Sequence, residues 1–129
     1  MFKDVVKTSG APEAVGPYSQ GVRVGDWLFL SGQIPLDPRT GELVEGGVEA
    51  QTERVLENLK AVLEAGGMGL EDVVQVTVYM TDLEEFGAMN GVYASYFPGD
   101  PPARVTVGVA SLPKGAKIEI SLVAYRPRV

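Results

Sequence analysis

Two side chains in the last third of the chain can do chemistry together. Arg104 opens a β-rich run directly after a proline pair, in Pro101-Pro102-Ala103-Arg104-Val105-Thr106-Val107. An arginine so placed can project its fork into a pocket at a sheet edge and hold a carboxylate by two charge-assisted hydrogen bonds. Periodicity alone favours a surface arginine balancing an acidic neighbour. Glu119 sits in Ile118-Glu119-Ile120-Ser121, and alternation gives it the same kind of side as Arg104. A half-buried carboxylate beside an arginine can orient or deprotonate a water, or form a plain ion pair. Tyr18, in the turn Gly16-Pro17-Tyr18-Ser19-Gln20-Gly21, can cover a small ligand or cap the core edge. Ser31-Gly32-Gln33 follows a strand and turns, so its backbone N–H groups can receive an anion. Asn90 edges an apolar helical stripe, a place where a polar residue is usually nothing special.

These residues need strands and helices to position them. Phe2 to Lys7 reads as an edge strand. Gly21–Val24 and Trp27–Ser31, split by Gly25-Asp26, read as a tight hairpin. From Gly32 to Gly47 the chain is a loop with a turn at Asp37-Pro38-Arg39-Thr40-Gly41. Val48 to Ala65 is a helix stopped by Gly66-Gly67, with Val55, Leu59, Val62 and Leu63 at helical spacing. Asp72 to Met80 is a strand with Val74, Val76, Val78 and Met80 on one face. Asp82 and Glu85 are spaced as a capping pair for a second helix through Phe86, Met89, Tyr93 and Phe97. Strands over Arg104–Ala110 and Lys117–Tyr125 close the chain, with a turn at Leu112-Pro113-Lys114-Gly115.

The order βββαβαββ predicts an α+β domain, a single mixed sheet with both helices on one face. Val105, Val107, Val109, Ile118, Ile120 and Leu122 are expected on the helix side. Gln75, Thr77, Tyr79, Thr106, Gly108 and Ser121 would form an uncharged polar second face, read as a subunit interface rather than an ordinary solvated face.

Composition narrows the chemistry. The 129 residues fit one domain, 1–129, and 45% are apolar. Eleven basic against seventeen acidic residues give a net charge of −6, which disfavours nucleic acid and anionic membranes as partners. Cysteine and histidine are both absent. That excludes disulfides, thiolate nucleophiles, Ser–His and Cys–His catalysis and the usual zinc sites. No EF-hand-like run, GxGxxG or GxxxxGK(S/T) occurs, so no metal, nucleotide or other cofactor is expected. With neither a signal-peptide pattern nor a stretch approaching the ~20 apolar residues of a membrane span, the expectation is a cytoplasmic protein without membrane association.

Four blocks in order carry a resemblance: GPYSQ (16–20), SGQIPLDPRTGEL (31–43), the FxxMNxVYxxYF helix (86–97) and PPARVTVGVASLPKGAKIEI (101–120). The chain resembles the RidA/YjgF family of reactive-intermediate deaminases almost end to end. The resemblance implies a chorismate-mutase-like fold and a homotrimer with clefts between subunits. It implies hydrolysis of 2-imino and 2-enamino acids, such as 2-iminobutanoate and 2-iminopropanoate, to 2-keto acids without a cofactor. It casts Arg104 as the carboxylate anchor and Glu119 as the water-positioning acid. Tyr18, Ser31, Gly32, Asn90 and Thr106 become substrate contacts. Many members have cysteine where Thr106 stands, so thiol-based regulation is out of reach here. A non-catalytic 2-keto-acid-binding module is the alternative reading, with an endoribonuclease or translation inhibitor behind it.

Overall fold

The computed structural model describes residues 2–127, so residue 1 and residues 128–129 of the expected 1–129 domain lie outside it. The strands are β1 (Lys3–Val6), β2 (Gly21–Val24), β3 (Trp27–Gln33), β4 (Val73–Met80), β5 (Ala103–Gly108) and β6 (Ile118–Tyr125), and the helices α1 (Val48–Ala65) and α2 (Phe86–Tyr96). They form one mixed six-stranded sheet in the order β1-β2-β3-β6-β4-β5. Only β4 and β5 pair in parallel; the other neighbours are antiparallel. This is the α+β arrangement read from the sequence, with both helices on one side. No helix among the described residues is long and apolar enough to cross a membrane.

Local chemistry explains most boundaries. Gly25, at φ 58°, takes the left-handed position of the β2–β3 turn at no steric cost. Helix α1 ends in a Schellman motif: the Met68 N–H reaches the Leu63 carbonyl at 2.9 Å and the Gly67 N–H that of Glu64 at 3.0 Å. Gly67 supplies the φ of 81° that this closure needs. The expected Asp82–Glu85 capping pair does not form. Asp82 instead accepts from the Glu84 N–H at 2.9 Å and starts a single 3₁₀ turn ahead of α2. Glu85 turns away to pair with Lys117 at 3.2 Å.

The core lies between the sheet and the helices. Leu28, Val76, Val78, Met80, Ile118 and Ile120 meet Val55, Leu56, Leu59, Val62 and Leu63 of α1 and Met89 of α2, all at 0% exposure. Residues opposed across a ladder project to the same side. Val76 opposes both Arg104 of β5 and Leu122 of β6, which places Arg104 and Thr106 on the helix side. Val105 and Val107 therefore point the other way and stay 48% and 38% exposed. This overturns the expectation that the β5 valines join the core. A register slip between Val73 and Gln75 likewise buries Val73 and exposes Val74, the reverse of the alternation read from sequence. The face away from the helices thus carries Val105, Val107, Phe29 and an edge-to-face Trp27–Tyr125 pair beside the expected Thr77 and Tyr79.

Buried amides tie the loops to this frame. Gln20, 3% exposed, accepts the Thr8 N–H at 2.7 Å and donates to the carbonyls of Thr8, Ala11 and Pro12. Asn58 of α1 donates to the Leu36 carbonyl at 3.0 Å, and Gln51 accepts the Lys117 N–H at 2.8 Å. Gln20 therefore folds the 8–20 segment back on itself. Gln20→Ala strands several buried backbone groups and is expected to cost about 2–4 kcal/mol of stability. Chemical denaturation would check this, and a loss within about 0.5 kcal/mol of zero would mean water replaces the amide there.

Candidate active site

Glu119 of β6 stands opposite Tyr79 of β4, on the face away from the helices. A cleft of about 440 Å³ opens at its carboxylate. Tyr18, Ser31, Gly32, Ile34 and Lys114 line it with Glu119. The carboxylate leans so closely over Gly32 that a Cβ there would collide with it. Glycine is what lets β3 pass beneath the acid. Burial is the cause that raises the Glu119 carboxyl above its ordinary 4.5.

The cleft wall is held from outside. The Ser31 hydroxyl donates to the Ser19 carbonyl at 2.6 Å, and the Ser31 N–H to the Gln20 carbonyl at 3.0 Å. Both donors of Ser31 are thereby spent on the Tyr18 loop, so what Ser31 offers a ligand is its oxygen lone pair. Tyr18 is 49% exposed, with its N–H turned to the Gly16 carbonyl at 2.8 Å. Lys114, which the sequence placed only in a turn, lines the cleft with a left-handed φ of 59°. Such a backbone costs a non-glycine residue about 1 kcal/mol or more, and tends to gather at functional sites.

Arg104 belongs to a different surface. Its guanidinium carbon lies 4.7 Å from the Tyr93 ring centroid and 5.5 Å from that of Phe86, both on α2. No ion pair involves Arg104 among the described residues. Its fork is available for an anion. Thr106, two residues on along the same face, has a buried hydroxyl without a hydrogen-bond partner, and so has Tyr93. Burial raises the Tyr93 hydroxyl's pKa, opposed in part by the Arg104 charge and by hydrogen bonding with Arg104, whose geometry falls short of a close hydrogen bond. Asn90 is half-buried on α2 between Phe86 and Tyr93 in the helical stripe.

The expectation that Arg104 and Glu119 share one side of the sheet is therefore corrected. Arg104 opposes Val76 and Glu119 opposes Tyr79, an odd number of residues apart on β4, so the two project to opposite faces. Three steps along a strand add about 10 Å of separation. One chain thus carries the candidate residues in two separate groups: Tyr18, Ser31, Gly32 and Glu119 at the cleft, and Arg104, Thr106 and Asn90 with β5 and α2. Phe86 and Tyr93 went unrecognised in the sequence reading because their spacing resembles any apolar helical stripe.

Known proteins resemble this chain throughout. The sequence model of the endoribonuclease L-PSP family matches residues 8–126. A RutC family protein of Pyrococcus horikoshii is 53% identical, over 97% of this chain and 99% of that one. The mouse 2-iminobutanoate/2-iminopropanoate deaminase is 43% identical, over 98% and 93% respectively. The crystal structure of Escherichia coli TdcF with bound serine superposes with a TM-score of 0.92 at 43% identity, covering 95% of this chain and 98% of that one.

The burial of Glu119 has a signed consequence. A carboxyl whose pKa is raised on folding binds its proton more tightly folded than unfolded. Its contribution to stability therefore falls as pH rises from about 4.5 through the raised value. Glu119→Gln is expected to melt higher than the parent at neutral pH, the gain vanishing below 4.5. Melting curves at the two pH values check the sign; a loss at neutral pH would show that the charged form is favoured in the cleft.

Proposed function

Because this chain belongs to the endoribonuclease L-PSP family, the RidA/YjgF family, we propose that it hydrolyses 2-imino acids to 2-keto acids and ammonia. Substrates of the 2-iminopropanoate and 2-iminobutanoate class, with their enamine tautomers, fit this reading. The observation that carries it is an arginine fork left unneutralised beside two π faces, matched by a proton-accepting carboxyl in a small, partly apolar cleft. The mouse relative's name supports the activity class. The serine held by the E. coli relative supports a ligand with an α-carboxylate.

Each step follows from the residues. Arg104 takes the substrate carboxylate in a bidentate grip and removes rotational freedom before reaction. A protonated imine is already electrophilic at C2, so no side-chain nucleophile is required. Glu119, ionised above its raised pKa, accepts a proton as water's oxygen bonds to C2. Glu119 returns that proton to the nitrogen of the tetrahedral carbinolamine. The C–N bond breaks as the oxygen's electrons form C=O, and the hydroxyl proton passes to Glu119 or to the departing ammonia. The water oxygen remains as the keto oxygen. Tyr18, Ser31, Gly32, Asn90 and Thr106 would bound the ligand.

Because the two groups face opposite ways, this chemistry requires the Arg104 of one copy to meet the Glu119 cleft of another. We place the chain, as a single domain over residues 1–129, in a homotrimer joined through its apolar outer face. The exposed Trp27, Phe29, Val105 and Val107 support that assembly. A cytoplasmic setting fits a substrate that forms wherever amino-acid dehydratases act. Ribonuclease action is the weaker reading: a net charge of −6 and no histidine leave little to bind or cleave a polyanion.

The test couples a threonine dehydratase to this protein and follows 2-keto acid release. Acceleration over buffer is expected, with Arg104→Ala lowering kcat/KM about 100-fold, the equivalent of roughly 3 kcal/mol. Keto-acid binding without acceleration would favour the non-catalytic module. Sedimentation showing only monomer at micromolar concentration would remove the shared site.

A further inference from the structure

We infer that Phe86 and Tyr93 are positioning residues that hold Arg104 by their ring faces, keeping its guanidinium aligned and free of any competing acid. The inference rests on the carboxylate-anchoring role proposed for Arg104. An arginine that must capture an anion has two ways to be held still. A neighbouring Asp or Glu would fix it but occupy its fork, and a substrate carboxylate would have to displace that acid. A ring face attracts the cation without using its N–H donors. This chain takes the second route. Guanidinium-to-ring distances are 4.7 Å to Tyr93 and 5.5 Å to Phe86. The acid immediately before Phe86, Glu85, is engaged by Lys117 at 3.2 Å.

The Tyr93 ring is itself anchored. Tyr93 is 6% exposed and packs against Phe97 with centroids 4.8 Å apart. Phe86 and Tyr93 lie seven residues apart, two turns of α2, and so share one helical face. The Tyr93 hydroxyl makes no close hydrogen bond, although Arg104 lowers its pKa by charge and by hydrogen bonding. The ring, with its centroid 4.7 Å from the guanidinium carbon, is the main holding element.

The experiment uses the full chain with Phe86→Leu, Tyr93→Leu and Tyr93→Phe. Two readouts are taken: the Arg104 Nε–Hε NMR signal, assigned by its absence in Arg104→Ala, and the Kd for 2-ketobutanoate. Each leucine variant is expected to shift the Arg104 signal out of the ring-current field and weaken 2-ketobutanoate by about fivefold or more. KM for the imine should rise alongside, with kcat nearly unchanged. Tyr93→Phe keeps the ring and should hold both readouts within about twofold of the parent. Tyr93→Leu opens a cavity and can unfold the chain, but Phe86 is 40% exposed and its replacement spares the core. An unmoved Arg104 signal in Phe86→Leu overturns the clamp, as does unchanged affinity in a folded leucine variant. Parent protein that binds 2-ketobutanoate without turning over imines sinks the deaminase reading and leaves the clamp standing. Turnover that survives both leucine substitutions with its KM intact does the opposite.

Discussion

The register of β4 against its two neighbours governs everything else in this structure. Val76 sits between Arg104 and Leu122, and Tyr79 between Val107 and Glu119. Side chains along a strand alternate, so this one-residue difference in parity sends the arginine to the helices and the acid to the opposite face. A slip by one residue on either side of β4 would exchange the fates of core and outer-face residues together. The deep burial of Val76, Val78, Ile118 and Ile120 is what prevents it. The same packing that stabilises the sheet therefore decides how the chemistry is distributed.

Loops around the cleft are kept in place by polar groups as well as by the burial of Ala11 and Leu36. Gln20 gathers the 8–12 segment, Ser31 fastens the carbonyl beside Tyr18, and Asn58 holds Leu36. Each uses a side-chain amide or hydroxyl to satisfy backbone groups that no ladder can reach. The cleft can thus be built on irregular chain and remain ordered, since all three anchors stand on strands, their ends or α1.

The element order was legible because the hydrophobic periods are unambiguous: α1 runs Val48–Ala65, the span its apolar spacing and Gly66-Gly67 stop indicate. Alternation on β5 was equally visible, but alternation alone does not say which set faces the helices. Valine fits the inside on composition. Here Arg104 and Thr106 take that side, since edge strand β5 lies under α2, where an arginine stem can pack against rings. Arg104 and Glu119 stood out by residue type and position. Their separation depends on pairing between strands far apart in sequence, which no local pattern encodes. The roles of Gln20 and Tyr93 were hidden for the same reason: both come from contacts made by the folded backbone.

A chain without histidine or cysteine has few ways to make a proton acceptor more basic than an ordinary carboxylate. Burial of a carboxyl is one, and Glu119 uses it, leaning over a glycine in a cleft whose walls include Ile34 and Pro113. An arginine fork next to that acid in the same chain would pull its pKa back down by favouring the carboxylate. It would also be drawn into an ion pair that blocks the anion site. Placing the two on opposite faces avoids both effects while each chain is alone. Brought together across an interface, they would have a substrate carboxylate to absorb the arginine's charge and leave the acid basic. In the proposed assembly, the separation of Arg104 from Glu119 within each chain would keep the fork open and the acid basic until a substrate carboxylate arrives.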